Sequence, residues 1–139
     1  MSNILAKNLS YKTVFFLLIL IFSSSHGEEP QGSIFKFGNK NIEFIVQNKL
    51  VISKNCSQIS PPAKCMATKS IMNVSFLAIN RMEGGVNPGA RICKMQAGGH
   101  VLLGVDSKGN EMTFCRFADD SLISNDSLIY ASLQNDKNK

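Results

Sequence analysis

The sequence predicts an α+β fold in which a small antiparallel sheet, made of short hairpins, carries one short helix and is stapled by disulfides. Apolar and polar residues alternate with the period of a β-strand in several short runs. Helix-boundary residues enclose a single segment, about residues 88–97. The 139 residues include four cysteines, and an even cysteine count in a small exported chain is typical of disulfides.

The first residues have the layout of a secretory signal peptide. Lys7 and Lys12 precede nine consecutive apolar residues, Val14 to Phe22, and small residues follow up to Gly27. Nine residues are too few to cross ~30 Å of hydrocarbon as a helix, so we expect cleavage near Gly27, with an uncleaved signal anchor as the alternative. No cysteine stands where a lipid would be attached. We therefore expect a periplasmic or secreted protein that meets the membrane only transiently, through its signal peptide.

The rest of the chain is predicted to divide into a β-rich N-terminal region (28–82), a helix-plus-hairpin domain (83–133) and a polar tail (134–139). In the N-terminal region, alternation predicts strands over 33–37, 41–47 and 50–52, and Asn48-Lys49 is the turn between the last two. A further strand is predicted over 67–80, where Met72, Val74 and Phe76 alternate.

Cys56 and Cys65 flank a segment that contains Pro61-Pro62. Two consecutive prolines exclude a helix and an interior strand, so this segment is predicted to be a loop. A local Cys56–Cys65 disulfide is the favoured pairing. Pairing of these two with Cys93 and Cys115 stays open, because four cysteines allow three connectivities.

The helix-plus-hairpin domain has the clearest local signals. Asn87 is a good N-cap and Pro88 suits the first helical position. Gly98-Gly99 is expected to end the helix. A hairpin follows, with strands over 100–106 and 111–117 and a turn that contains Gly109.

Cys93 on this helix and Cys115 on the second strand of the hairpin are 22 residues apart. A bridge between them would stabilise the fold by ~3 kcal/mol in the chain-entropy model.

The order Asn-Pro, Cys, Gly-Gly, turn Gly and Cys-x-Phe resembles a short domain of unknown function. That domain is found in bacterial exported proteins and lipoproteins that carry the label "putative haemolysin". The resemblance covers about residues 87–130, and the matching positions are Asn87, Pro88, Cys93, Gly98, Gly99, Gly109, Cys115 and Phe117. The family usually has a tryptophan after the acidic turn, where this chain has Asp126, and many members carry a lipid-bearing cysteine that this chain lacks. The resemblance implies an exported protein and names no reaction.

Charge and composition exclude several classes of function. With Lys7 and Lys12 removed, the net charge falls from +5 to +3, and the remaining basic residues are dispersed. This pattern does not predict nucleic-acid binding. We expect no cofactor and no metal site, since one histidine and no Cys-x-x-C remain after cleavage. The expected partner is an unknown envelope protein or surface.

We expect a non-enzymatic protein. His100 is the one candidate base, and a triad built on it would need Ser107 or Ser121 with Asp106 or Asp119, without a nucleophile-elbow motif. His100 is interpreted as a surface residue that begins a strand.

The sequence bears on three other activities. Asp119-Asp120 with Asp126 could form a calcium site, but adjacent acids usually belong to a turn. Direct membrane lysis is not expected, because Phe35, Phe44, Phe114 and Phe117 are interpreted as core residues and no mature apolar stretch reaches the length of a helical span. The alternative to an envelope protein is a secreted binding module or protease inhibitor that offers the Cys56–Cys65 loop, with Lys64 as its contact residue.

Overall fold

The computed structural model describes residues 32–58, 65–79 and 85–139. The strands in these ranges are β1 (Ser33–Phe37), β2 (Lys40–Gln47), β3 (Leu50–Ser53), β4 (His100–Asp106), β5 (Glu111–Arg116) and β6 (Leu122–Ser124). The α-helices are α1 (Lys54–Gln58), α2 (Met66–Ser70), α3 (Pro88–Met95) and α4 (Asn125–Lys137), and a 3-10 turn spans Leu77–Ile79. The predicted signal peptide, the prolines of the Cys56–Cys65 loop and Lys64 lie outside the described residues.

The six strands form one closed antiparallel barrel in the order β1-β2-β3-β6-β5-β4. The predicted fold class, small hairpins with a single helix, is therefore wrong. The hairpins themselves are present as the pairs β1–β2, β2–β3 and β4–β5. β6 pairs with β5, which precedes it in the chain, and two long-range pairings, β3–β6 and β1–β4, close the barrel. Turn residues signal hairpins locally, whereas the pairings that close a barrel depend on tertiary packing.

Closure brings strands of the predicted N-terminal region and of the predicted helix-plus-hairpin domain into one sheet. A single aromatic cluster fills its interior. Phe35, Phe44 and Phe114 are buried, with ring centroids 4.5 Å apart for Phe44–Phe114 and 4.9 Å for Phe35–Phe114. Gly104 makes room for this cluster, because a Cβ there would lie 2.7 Å from the Phe37 ring. The prediction that these phenylalanines are core residues is confirmed.

A second core lies between the outside of the barrel and the helices. Ile92 and Leu128 from α3 and α4 are buried in the same cluster as Ile123 of β6. The Cys93–Cys115 disulfide joins α3 to β5 here, and Cys56 is bonded to Cys65. The favoured disulfide connectivity is thereby confirmed.

The helix predicted over 88–97 is present as α3, and its predicted caps are confirmed. The Asn87 side chain accepts hydrogen bonds from the backbone N–H groups of Gly89 and Ala90. Gly98 has φ +71°, the left-handed conformation that ends helices. At Gly99 a Cβ would overlap the sulfur of Cys115, so this glycine leaves space for the disulfide.

The strand predicted over 67–80 is wrong. This segment contains α2 and the 3-10 turn, with Ala67 buried and Met72 74% exposed. Met72, Val74 and Phe76 therefore do not share a buried face. The first N–H groups of α2 are satisfied from a distant turn: Met66 N–H donates to Asp119 Oδ2 (2.8 Å) and Ala67 N–H to Ser121 Oγ (3.1 Å).

The segment predicted as a polar tail contains the last turn of α4, and its side chains bind the irregular chain after α2. Asn135 Nδ2 donates to the carbonyls of Ile71 and Val74, both at 2.8 Å. Asp136 accepts from Ser75 Oγ at 2.6 Å and from the Leu77 N–H at 2.9 Å. Within the described part of the chain, no helix combines the length and the apolar character that a membrane span needs.

Candidate binding site at the barrel mouth

One end of the barrel, called the mouth below, opens into a cavity of about 370 Å³. The β1–β4 pairing consists of two residue pairs, Phe35 with Asp106 and Lys36 with Val105, and it stops at this end of the barrel. Beyond these pairs, the tip of the β1–β2 hairpin and the first half of β4 line a shared space instead of continuing the ladder. The lining residues are Phe37, Gly38, Lys40, Ile42, Leu102, Leu103, Arg116, Asp120 and Leu122.

The floor of the mouth is apolar. Phe37, Ile42 and Leu102 are partly buried side chains that pack against the aromatic interior, and Leu122 is buried. Since Phe44 and Phe114 fill the barrel beneath them, a ligand would rest on this floor without entering the barrel.

The rim carries charged groups of both signs. Arg116, at the end of β5, donates from Nε to Asp120 Oδ1 at 2.9 Å, and its Nη2 contacts the same oxygen. Asp120 belongs to the β5–β6 turn and has φ +60°, a conformation that aspartate tolerates better than most residues. Lys40 lines the opposite side, at the start of β2. Two basic groups and one acidic group leave the rim with one excess positive charge.

A second recess of about 320 Å³ adjoins the mouth and shares Leu102, Arg116 and Asp120 with it. His100, the candidate base, lies on this recess and is exposed. The prediction that His100 begins a strand at the surface is confirmed by its position as the first residue of β4. The ion pair of Arg116 with Asp120 therefore stands at the junction of the two recesses.

The serine and aspartate candidates at the β5–β6 turn have structural partners. Ser121 is buried and donates from Oγ to Asp119 Oδ1 at 2.5 Å, so its proton is directed to an acid and not to His100. Partial burial raises the pKa of Asp119, but hydrogen bonds from the Met66 N–H, the Ser121 hydroxyl and the Ser121 N–H outweigh it and hold that pKa below the usual value. Asp119 thus remains a carboxylate that caps α2.

The other two triad candidates belong to the β4–β5 turn, at the far end of β4 from His100. A strand of that length places them ~20 Å away. Asp106 accepts hydrogen bonds from the Asn110 side chain and from the N–H groups of Asn110 and Lys108, all at 2.8 Å. The Asn110 side chain is the main cause of a lowered pKa for Asp106. The structure does not bring Asp106 or Ser107 to His100.

The three acids of the hypothetical calcium site each have a different structural role. Asp119 caps α2, Asp120 pairs with Arg116, and Asp126 lies in the first turn of α4, where a carboxylate favours the helix dipole. In residues 32–58, 65–79 and 85–139, no group of three potential ligand side chains is arranged to hold a metal ion.

Sequence reasoning missed the mouth. In the sequence, Lys40 and Arg116 belong to the dispersed charges, and Leu102 is one apolar residue of a predicted strand. No local pattern connects them, because β2 and β5 are far apart in the sequence and are not neighbours in the barrel. The one sequence signal was the Arg-x-x-x-Asp spacing of Arg116 and Asp120 across a turn, which is too common to predict a site.

The arrangement offers an apolar floor, a guanidinium fixed by a carboxylate and a second basic group opposite. Such a set can hold and orient a ligand, because a few placed polar groups on an apolar surface are the usual composition of a binding pocket. No family model, no curated protein and no solved structure matches this chain.

Proposed function

We propose that this is an exported, non-enzymatic protein of the periplasm or envelope, and that it acts by binding a ligand or partner at the barrel mouth. Its two disulfides fit an extracytoplasmic compartment, since such bonds persist in oxidising surroundings. The proposal includes signal-peptide cleavage near Gly27 and kinship with the haemolysin-labelled exported domain.

The observation that carries the proposal is the open end of the barrel. Leu103 is an exposed large apolar residue beside the mouth, and Phe37, Ile42 and Leu102 are only partly covered. A barrel that served only as a scaffold would gain stability by covering them, at ~25 cal/mol for each Å² of apolar surface. Their exposure next to two basic groups therefore favours a recognition surface.

A binding role also accounts for the candidate catalytic groups. The hydroxyl of Ser121 and the carboxylates of Asp106 and Asp119 satisfy backbone N–H groups of turns and of a helix. A general base or nucleophile needs those atoms directed at a substrate. We propose that His100 contributes to the recess as a polar wall.

The test is to obstruct the mouth with Leu103→Trp and to compare it with Ile34→Trp. Leu103 and Ile34 are 50% and 58% exposed strand residues, and of the two only Leu103 lines the mouth cavity. The protein is recovered from its own cells under non-reducing conditions, and the co-purifying molecules are identified by mass spectrometry. We expect a molecule that the wild type and Ile34→Trp retain and Leu103→Trp loses. Identical retention by both variants would contradict binding at the mouth. Sequencing the N-terminus of the same sample tests cleavage near Gly27.

A secreted binding module or protease inhibitor acting through the Cys56–Cys65 loop is the second candidate. The observation in its favour is the Cys56–Cys65 bond itself, which closes the loop and would preorganise it for a protease. Inhibition of a serine protease that disappears in Lys64→Ala, but persists in Leu103→Trp, would select this candidate over the barrel mouth.

A further inference from the structure

The chemistry of the mouth indicates what kind of ligand it takes, and this inference rests on the proposed binding function. At about 370 Å³ the cavity is near the lower end of the range for small-molecule pockets, ~300–1,000 Å³. Its floor is formed by side chains without hydrogen-bonding groups: Phe37, Ile42, Leu102 and Leu122. The part of the ligand that faces this floor is therefore small and apolar.

The polar part of the ligand is expected to meet Arg116. A guanidinium has five N–H donors, and the pair with Asp120 uses two of them, one on Nε and one on Nη2. The described residues accept no hydrogen bond from the other three. Asp120 thus fixes the guanidinium plane at the junction of the two recesses and leaves its remaining edge for an acceptor.

The shape and the net charge of the rim indicate which class of anion would bind there. Arg presents a planar fork that matches the two oxygens of a carboxylate. The excess of one positive charge, from Lys40 and Arg116 against Asp120, matches a monoanion better than a phosphate monoester, which carries −1.5 to −2 charges. Lys40 stands across the cavity from Arg116 as a mobile point charge and adds attraction without fixing geometry.

We propose that the barrel mouth binds a monocarboxylate with a short apolar chain, of the medium-chain fatty-acid class. The chain lies on the floor between the β1–β2 hairpin and β4. The carboxylate receives hydrogen bonds from the free edge of Arg116 and is attracted by Lys40. Because Arg116 is partly exposed and also borders the second recess, the charged group of the ligand is not fully buried.

The experiment titrates the disulfide-intact protein with sodium octanoate, 1-octanol and sodium acetate. Calorimetry gives the dissociation constants, and amide chemical shifts of Gly38 and Leu103 report whether binding is at the mouth. We expect octanoate to bind there at least about tenfold more tightly than octanol or acetate, because only octanoate uses both the floor and Arg116. Arg116→Gln should weaken octanoate about tenfold and Lys40→Gln about two- to fivefold.

Lys108→Gln is the matched control: it removes the same charge from an exposed turn residue at the other end of β4, and octanoate affinity should not change. Equal affinity for octanol and octanoate, equal effects of Arg116→Gln and Lys108→Gln, or unmoved mouth amides would each overturn the carboxylate proposal. None of these results would decide the broader binding function, which the Leu103→Trp and Ile34→Trp pair tests with whatever molecule the protein retains.

Discussion

Two long-range strand pairings, β3–β6 and β1–β4, are the seams that close the barrel. They differ in how the backbone N–H groups of their strands are hydrogen-bonded. At the β3–β6 seam a single residue pair, Ile52 with Ile123, is supplemented by serine side chains. Ser53 Oγ accepts from the Leu122 N–H at 2.9 Å, and Ser127 Oγ, from α4, accepts from the Val51 N–H at 2.8 Å.

The β1–β4 seam has two residue pairs, and beyond them the strands line an open cavity. The β3–β6 pairing, where serine hydroxyls complete the hydrogen bonding, is called the sealed seam below. The β1–β4 pairing, which opens into the mouth, is called the open seam. The difference suggests that stability is concentrated at the first seam and recognition at the second. Substitutions at the sealed seam should consequently lower stability more than binding, and substitutions at the mouth should lower binding more than stability.

The largest effect on stability is expected from the disulfide next to the sealed seam. Replacing Cys93 and Cys115 together by alanine should lower the free energy of unfolding by about 3 kcal/mol, since the bridge closes a 22-residue loop. Urea denaturation of the wild type and the double variant measures this loss. An unchanged midpoint would show that packing of α3 on β5 does not depend on the bridge.

The next largest effect should come from the serine that substitutes for ladder hydrogen bonds. Ser53→Ala leaves the Leu122 N–H without its acceptor at a buried site, which costs about 1–3 kcal/mol. Ser33→Ala, on the strand of the open seam, is the control and should change stability by less than about 0.5 kcal/mol. Equal losses in the two variants would contradict the distinction between the seams.

Asp119 and Asp120 are neighbours in one turn but have different roles. Asp119 caps α2 and so contributes to stability, whereas Asp120 lines the mouth, where binding is proposed. Because the folded state lowers the pKa of Asp119, this carboxylate contributes stability above its unfolded pKa of ~3.9. The contribution is lost as the pH falls through the lower, folded-state pKa. Stability should therefore decrease below about pH 4, and less steeply in Asp119→Asn.

The cause of this pKa shift can be tested separately. Ser121→Ala removes one hydrogen bond to Asp119, and an NMR titration should show the pKa of Asp119 moving up towards its ordinary value. A pKa that stays where it was would mean that the N–H groups of Met66 and Ser121 set it without the hydroxyl.

The smallest effect on stability is expected at the mouth, into which the β1–β4 seam opens. Arg116 and Asp120 have side chains that are 45% and 70% exposed, and an exposed ion pair contributes about 0–1 kcal/mol. Arg116→Gln should accordingly shift the unfolding midpoint very little. A loss as large as that of Ser53→Ala would show that the mouth is a structural element and would weaken the binding proposal.

The elements that could be predicted from the sequence are those whose signals are local. Asn87, Pro88 and Gly98 define α3 because capping involves residues within one turn of each other. The hairpins follow from alternation and turns, and the core phenylalanines from their place in the strands.

The closure of the barrel and the helix α2 could not be predicted, for a common reason. Ser53, Ser121 and Asp119 look like surface residues in the sequence, but each satisfies a backbone group far away in the chain. Polar residues that replace secondary-structure hydrogen bonds have no periodic pattern. The backbone groups to which they bond can therefore be identified only once the fold is known.

The position of α4 in the chain also affects how the protein is made. Ser127, Asn135 and Asp136 hold groups of β3 and of the segment after α2, which the ribosome synthesises much earlier. The earlier elements can form hairpins as they emerge, but the sealed seam has to wait for α4. Contacts between distant parts of a chain slow folding. Under the export proposed above, this delay would keep β3 and the segment after α2 without their final partners until α4 had crossed the membrane as well.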